Sequence, residues 1–170
     1  DFAPLAKYSG KELKSRIEDT GIKCMGSHFT WKEMQNNLDE RIEFANQLGL
    51  KQFVCSGGLD SPTEDEAKRK CAELNAMGEK IKSAGMDAGY HNHDIEFTNK
   101  FNGRPEYDLL MEELDPDLVK MQFQTQVITL GHKGSTYFKK FPGRFISAHL
   151  QDYSKTDDTK EVTLGQGISE

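Results

Sequence analysis

Two hydrophobic patterns alternate along the chain. Stripes of apolar residues three and four apart give way to short, nearly continuous apolar runs, and each run stops in polar residues. The stripes have the period of a helix and the runs the length of a buried strand. Strands are expected at residues 22–26, 52–55, 87–90, 119–123 and 145–148. Polar groups follow each in turn: His28; Ser56-Gly57-Gly58; His91-Asn92-His93; Gln124; then His149 with Asp152. Gly21, Gly49 and Gly85 stand ahead of three of the strands. Glycine there takes the left-handed conformation that ends a helix without steric cost.

The intervening helices carry their own signals. Ser9 and Glu12 have capping-box spacing ahead of Leu13, Ile17 and Ile22. Met34, Leu38, Ile42, Ala45 and Leu48 form one apolar stripe. Ser61-Pro62 reads as the cap and first turn of the next helix, continued by residues 65–82, and shorter helices are expected at 107–114 and 135–141. Helix and strand thus alternate five times, which predicts an α/β fold with a parallel sheet and helices outside it.

Strand-end chemistry separates the two parallel architectures. An open doubly wound sheet concentrates its site at one switch point, usually with a glycine-rich phosphate loop. No GxGxxG or GxxxxGK[ST] is present, and nearly every strand ends in a polar group. A (β/α)8 TIM barrel gathers all its strand ends around one mouth, so the barrel is expected. A whole barrel has eight strands in about 250 residues. Five strands in 170 residues, opening on Asp1, predict one domain, residues 1–170, that is a segment of a longer chain. Its two open sheet edges predict that the segment alone is not a stable monomer and leave a homo-oligomer possible.

Composition narrows the partners. With 28 acidic against 22 basic residues the formal charge is −6. Such a chain lacks the basic footprint of a nucleic-acid or membrane-surface protein. No apolar run is long enough to span a bilayer, and no signal peptide stands at Asp1. Cytoplasm and periplasm both stay open. Cys24, Cys55 and Cys71 lack CxxC or CxxH spacing and read as buried thiols, not as a disulfide framework or zinc knuckle.

The densest polar cluster is Tyr90-His91-Asn92-His93-Asp94-Ile95-Glu96-Phe97. Residues two apart on a strand share a face, so His91 and His93 can both point into a mouth, with Glu96 just beyond the strand end. Imidazoles carry protons or bind metals near neutral pH. His149 would share the same mouth. Gln122, Gln124 and Gln126 are spaced to lie on one strand face, and buried amides need partners. His28 can line the pocket or cap its strand, and Phe29 and Trp31 beside it are candidates for an apolar platform. His132, after Gly131, is expected to be solvent-exposed.

The motifs Gly-Tyr-His-Asn-His-x-x-Glu-Phe, Val-Lys-Met-Gln-Phe-Gln and Pro-Gly-Arg-Phe-x-x-x-His-x-x-Asp occur in that order. Together they resemble the sugar isomerase/epimerase family with the xylose isomerase-like TIM barrel, a group that includes keto-sugar dehydratases and eliminases. The resemblance covers essentially the whole chain, about strands three to seven of eight. It implies a divalent cation, Mn2+ first (Mg2+, Co2+ or Zn2+ otherwise), held by Glu96, Gln124 and His149. Gln124 stands where relatives carry aspartate, so it would bind a hard cation more weakly. The implied reaction is proton abstraction next to a carbonyl of a sugar or keto-sugar, with His93 and His91 catalytic and His28, Trp31, Gln126 and Asp152 at the substrate. Two other readings are a catalytically inactive sugar-binding barrel or subunit and an abasic-site endonuclease-like hydrolase. The acidic charge and the five histidines argue against the second.

Overall fold

The computed structural model describes residues 7–169. Its strands are β1 (Gly26–Phe29), β2 (Gln52–Cys55), β3 (Asp87–His91), β4 (Lys100–Phe101), β5 (Arg104–Pro105), β6 (Val119–Gln124), β7 (Phe145–His149), β8 (Asp152–Tyr153) and β9 (Glu161–Val162). The helices are α1 (Gly10–Glu18), α2 (Trp31–Leu48), α3 (Glu64–Ser83), α4 (Ile95–Thr98), α5 (Glu106–Glu113) and α6 (Gly134–Lys140), with a 3-10 turn at Thr125–Leu130. One five-stranded sheet, in the order β1-β2-β3-β6-β7, pairs in parallel throughout. Four of its five strands match the expected runs to within one residue at each end.

The sheet curls. Gln52 on β2 points its amide at the Ile146 carbonyl on β7, 3.4 Å away, although β3 and β6 lie between them. In a flat sheet those strands would stand roughly 14 Å apart, three steps of 4.7–4.9 Å. The concave face therefore closes on itself, as in an α/β barrel. Gly89 makes room for this: a Cβ there would meet Ile146 Cδ1 at 2.9 Å and Val54 Cγ2 at 3.3 Å. On the convex face Phe53, Cys55, Ala88, Tyr90, Met121 and Phe123 are buried together with the apolar stripes of α2 and α3.

Local signals account for most element ends. Ser9 and Thr30 both build capping boxes, with Glu12 and Glu33 returning to the cap backbone, each worth about 1 kcal/mol. Gly21, Gly49 and Gly85 adopt φ of 77°, 83° and 83° after their helices, as their positions in the sequence predict.

Three expectations are corrected. The first strand begins at Gly26 instead of residue 22, and Ile22 and Met25 stay exposed at 63 % and 55 %. Pairing with β2 starts only where Gly26 opposes Gln52. Their approach is close, since a Cβ on Gly26 would lie 3.0 Å from that of Gln52. His28 therefore sits within a strand and not after one. The cap of α3 is Thr63, whose hydroxyl accepts from the Glu66 N–H. Ser61 is turned away, donating to the Leu59 carbonyl at 2.7 Å. Finally, two small hairpins interrupt the alternation, β4–β5 and β8–β9. The first turns on Asn102-Gly103, with φ of 53° and 82°, the pair of positive angles that an Asn-Gly hairpin turn requires.

Candidate functional site

Three strands deliver four imidazoles to one place. His28 comes from β1, His91 ends β3, His93 follows it, and His149 ends β7. The His91 ring is the hub, its centroid 4.8 Å from His28, 4.8 Å from His93 and 5.1 Å from His149. Gln124 is the register partner of His149. All lie at the carboxyl ends of the parallel strands, where barrel enzymes carry their sites.

Strand alternation explains the selection. Ser27 and Phe29 are buried towards the helices while His28 between them is exposed on the concave side. Met121 and Phe123 likewise face the helices, which leaves Gln122 and Gln124 inside. The platform role for Phe29 fails for this reason: its ring is 4 % exposed and stacks on Phe53 at 3.9 Å. Trp31 opens α2 and lies against Gly58, where a Cβ would come within 2.6 Å of its own. His93 leans on the adjacent Gly57, whose Cβ would meet His93 Cε1 at 3.0 Å. Gly57 and Gly58 have φ of 110° and 96°, values that other residues rarely adopt. These two glycines form a bare backbone floor beneath His93 and Trp31, and a short Gly-Gly after a strand was the signal for it.

The amides make a second layer. Gln124 Nε2 donates to Gln126 Oε1 at 2.6 Å and to Gln151 Oε1 at 2.7 Å. Its own carbonyl oxygen is buried without a partner, as is His91 Nδ1. Gln126 does not extend the strand face as expected. The strand ends at Gln124 and Gln126 enters the 3-10 turn, so it reaches the cluster through Gln124.

Electrostatics distinguish the rings. Burial, then the neighbouring His28, His93 and His149, push the His91 pKa down to about 3, with Gln124 acting in the opposite sense. His149 is lowered too, by burial and then by His28 and His93, while Glu161 opposes. This favours a neutral His91 near neutral pH, with one N–H left to polarise an oxygen.

Two expected site residues are committed elsewhere. Glu96 is fully buried, with one carboxylate oxygen accepting from the Tyr90 hydroxyl and the other from the His93 N–H at 2.8 Å. Of the expected ligand set, Glu96 thus has both oxygens engaged within the fold, while Gln124 Oε1 is not engaged. Among the described residues no group of three or more His, Cys, Asp or Glu side chains is placed to hold a metal. Asp152 is not offered to a substrate either. Its carboxylate accepts the backbone N–H groups of Tyr153, Gly165, Gly167 and Ser169 at 2.8–3.0 Å. Those donors, Ser169 first, hold its pKa down to about 2. Asp152 anchors the segment after β9.

His132 also departs from expectation. It is half-buried, bonded through Nδ1 to the Tyr137 hydroxyl at 2.8 Å and packed on Phe97, away from the mouth. The cysteines are free thiols, and Cys55 and Cys71 are fully buried with pKa values pushed up to about 12 mainly by burial. No helix of the described residues is long and apolar enough to cross a membrane.

Known proteins share this architecture. An inosose dehydratase of Lacticaseibacillus casei is 29 % identical, aligned over 95 % of this chain and 64 % of its own length. A sugar phosphate isomerase/epimerase of Parabacteroides distasonis superposes with a TM-score of 0.78 at 25 % identity, over 96 % of this chain and 61 % of that one. An IolI protein with a bound zinc atom superposes at 0.71 with 15 % identity, over 98 % and 66 %. No family model matches the chain. The chain spans less than two thirds of the length of these relatives. The five parallel strands are those of an incomplete TIM barrel, the fold of these solved structures.

Proposed function

We propose that this xylose isomerase-like barrel chain carries the proton-transfer half of a carbohydrate isomerase, epimerase or dehydratase site. One observation carries the proposal: four imidazoles and three glutamine amides converge at the strand ends around the neutral His91. The nearby carboxylates of Glu96 and Asp152 are already bonded to other groups. Similarity to inosose dehydratases and to a sugar phosphate isomerase/epimerase supports a keto-sugar as substrate.

The chemistry follows from the rings. A hydroxyl-rich substrate can exchange hydrogen bonds with the amides. The neutral His91 donates a hydrogen bond to the carbonyl oxygen and stabilises the charge that grows there when the adjacent C–H is broken. His93, against the Gly57 floor, takes or returns the proton. Trp31 supplies an apolar edge. Manganese, which the motif resemblance implies, enters no step, because both oxygens of Glu96 are already bonded. No basic face supports a nucleic-acid substrate.

The test is deuterium wash-in at the carbon next to the carbonyl, with an inosose as the probe. Exchange by the protein, reduced about 100-fold or more in His93→Ala, is the expected result. Binding of the probe with no exchange would favour the inactive sugar-binding reading.

A further inference from the structure

His28 differs from the other rings of the mouth in how it is held. Its Nε2 lies 2.5 Å from Gln122 Oε1, and Gln122 Nε2 donates to Ser147 Oγ at 2.9 Å. Gln124 serves the His91 ring in a similar way, but that ring is buried. Among the described residues, the side chains of His93 and His149 make ring and packing contacts only. With the Gln122 carbonyl facing His28, the ring must donate, so its proton sits on Nε2 and Nδ1 keeps a lone pair. An imidazole fixed on one nitrogen and bare on the other is the arrangement of an oriented general base.

The reaction class needs such a group. Isomerisation, epimerisation and dehydration each take one proton from carbon and deliver one elsewhere, so two carriers serve better than one. His91 is buried and is already assigned to the carbonyl oxygen, which leaves the second carrier to another ring. His28 and His93 flank it at the same 4.8 Å, and His28 is open to water. We infer that His28 is the second proton carrier of this mouth and that Gln122, braced by Ser147, is the positioning residue that fixes its tautomer. This rests on the proposed function and adds to it a second base and the pair that orients it.

For epimerisation the step balances as follows. His28 Nδ1 takes the hydrogen of the carbon beside the carbonyl as a proton. The C–H electron pair passes into the enolate, on whose oxygen His91 donates. Protonated His93 then gives its proton to the same carbon, and the enolate pair returns to form the new C–H bond, so wash-in depends on both rings. One proton passed to solvent from His28 and one regained by His93 restore the starting state.

The experiment pairs nitrogen-15 NMR of the histidine rings with the wash-in assay on an inosose. Wild-type protein is expected to show His28 protonated on Nε2, with Nδ1 bare. Gln122→Leu should mix the tautomers and slow exchange, His28→Ala should slow it about 100-fold or more, and Gln122→Glu, which keeps an acceptor at Nε2, should restore both readings. Ser147→Ala, which leaves His28 and Gln122 in place, should shift the tautomer partway and covers the case in which Gln122→Leu does not fold. A His28 protonated on Nδ1 would overturn the inference, since the Gln122 amide would then face the other way. So would wild-type exchange that His28→Ala leaves untouched. A wild type with the expected tautomer but no exchange sinks the proposed function first, and the proton-carrier role with it.

Discussion

The Tyr90 hydroxyl donates to the Glu96 carboxylate, and both side chains are closed off from water. The pair lies on the helix side of β3, because Tyr90 alternates with His91 along the strand. The same hydroxyl accepts the Leu59 N–H at 3.3 Å, and the second Glu96 oxygen accepts the His93 N–H. One phenol and one carboxylate thus tie the β2 and β3 strand ends together beneath the imidazoles.

A structural role for this pair makes a prediction that separates it from metal ligation. Tyr90→Phe leaves a buried carboxylate oxygen and a backbone N–H short of partners, and should destabilise the protein by about 2 kcal/mol. Glu96→Gln should lower the melting temperature while leaving metal content, measured by elemental analysis, unchanged. Loss of a bound ion in Glu96→Gln would restore the ligand role implied by the motif resemblance.

Stability should also depend on pH through Glu106. Its carboxyl is fully buried, with Asn99 donating to one oxygen at 2.8 Å and the other unpartnered. Burial raises its pKa from an ordinary 4.5 to about 7. The folded state holds this proton more tightly than the unfolded one, so stability falls as pH rises from about 4.5 to about 7 and stays lower above that. Glu106→Gln should flatten that slope in melts taken across the window and melt higher than wild type at pH 8.

Asp152 has the opposite sign. Its pKa is held down to about 2, so its contribution is present above the ordinary carboxylate value of 3.8 and disappears as pH falls towards 2. Asp152→Asn should speed amide hydrogen exchange at Gly165, Gly167 and Ser169, the donors it gathers. Affinity for the keto-sugar probe should change far less than this protection.

The glycine floor can be read through the single tryptophan. Gly58→Ala sets a methyl 2.6 Å from Trp31 Cβ on a backbone at φ 96° and must move the indole. A shift in the emission of Trp31, the one tryptophan in the chain, is the expected outcome. Gly57→Ala should instead displace His93 and slow wash-in, with little change in emission.

Sequence alone determined the order of the five sheet strands and the longer helices between them, because both periods and the glycine stops are local signals, but not the two small hairpins. It also determined that His28, His91, His93, Gln124 and His149 belong to strand ends, and a parallel α/β order places all such ends together. Two things were decided by tertiary contacts. The first is where pairing begins: Gly26 opposes Gln52 only once β1 and β2 meet, and that register puts His28 inside the strand. The second is which polar groups remain available. Glu96 and Asp152 look like a ligand and a binding residue in the chain, yet Tyr90, His93 and the backbone around Gly167 take up their oxygens in the fold. Gln122 meets His28 from two intervening strands away only because the sheet curls. Residue type and spacing fix what a side chain can donate or accept, but which partner it finds depends on surfaces that the chain brings together only on folding.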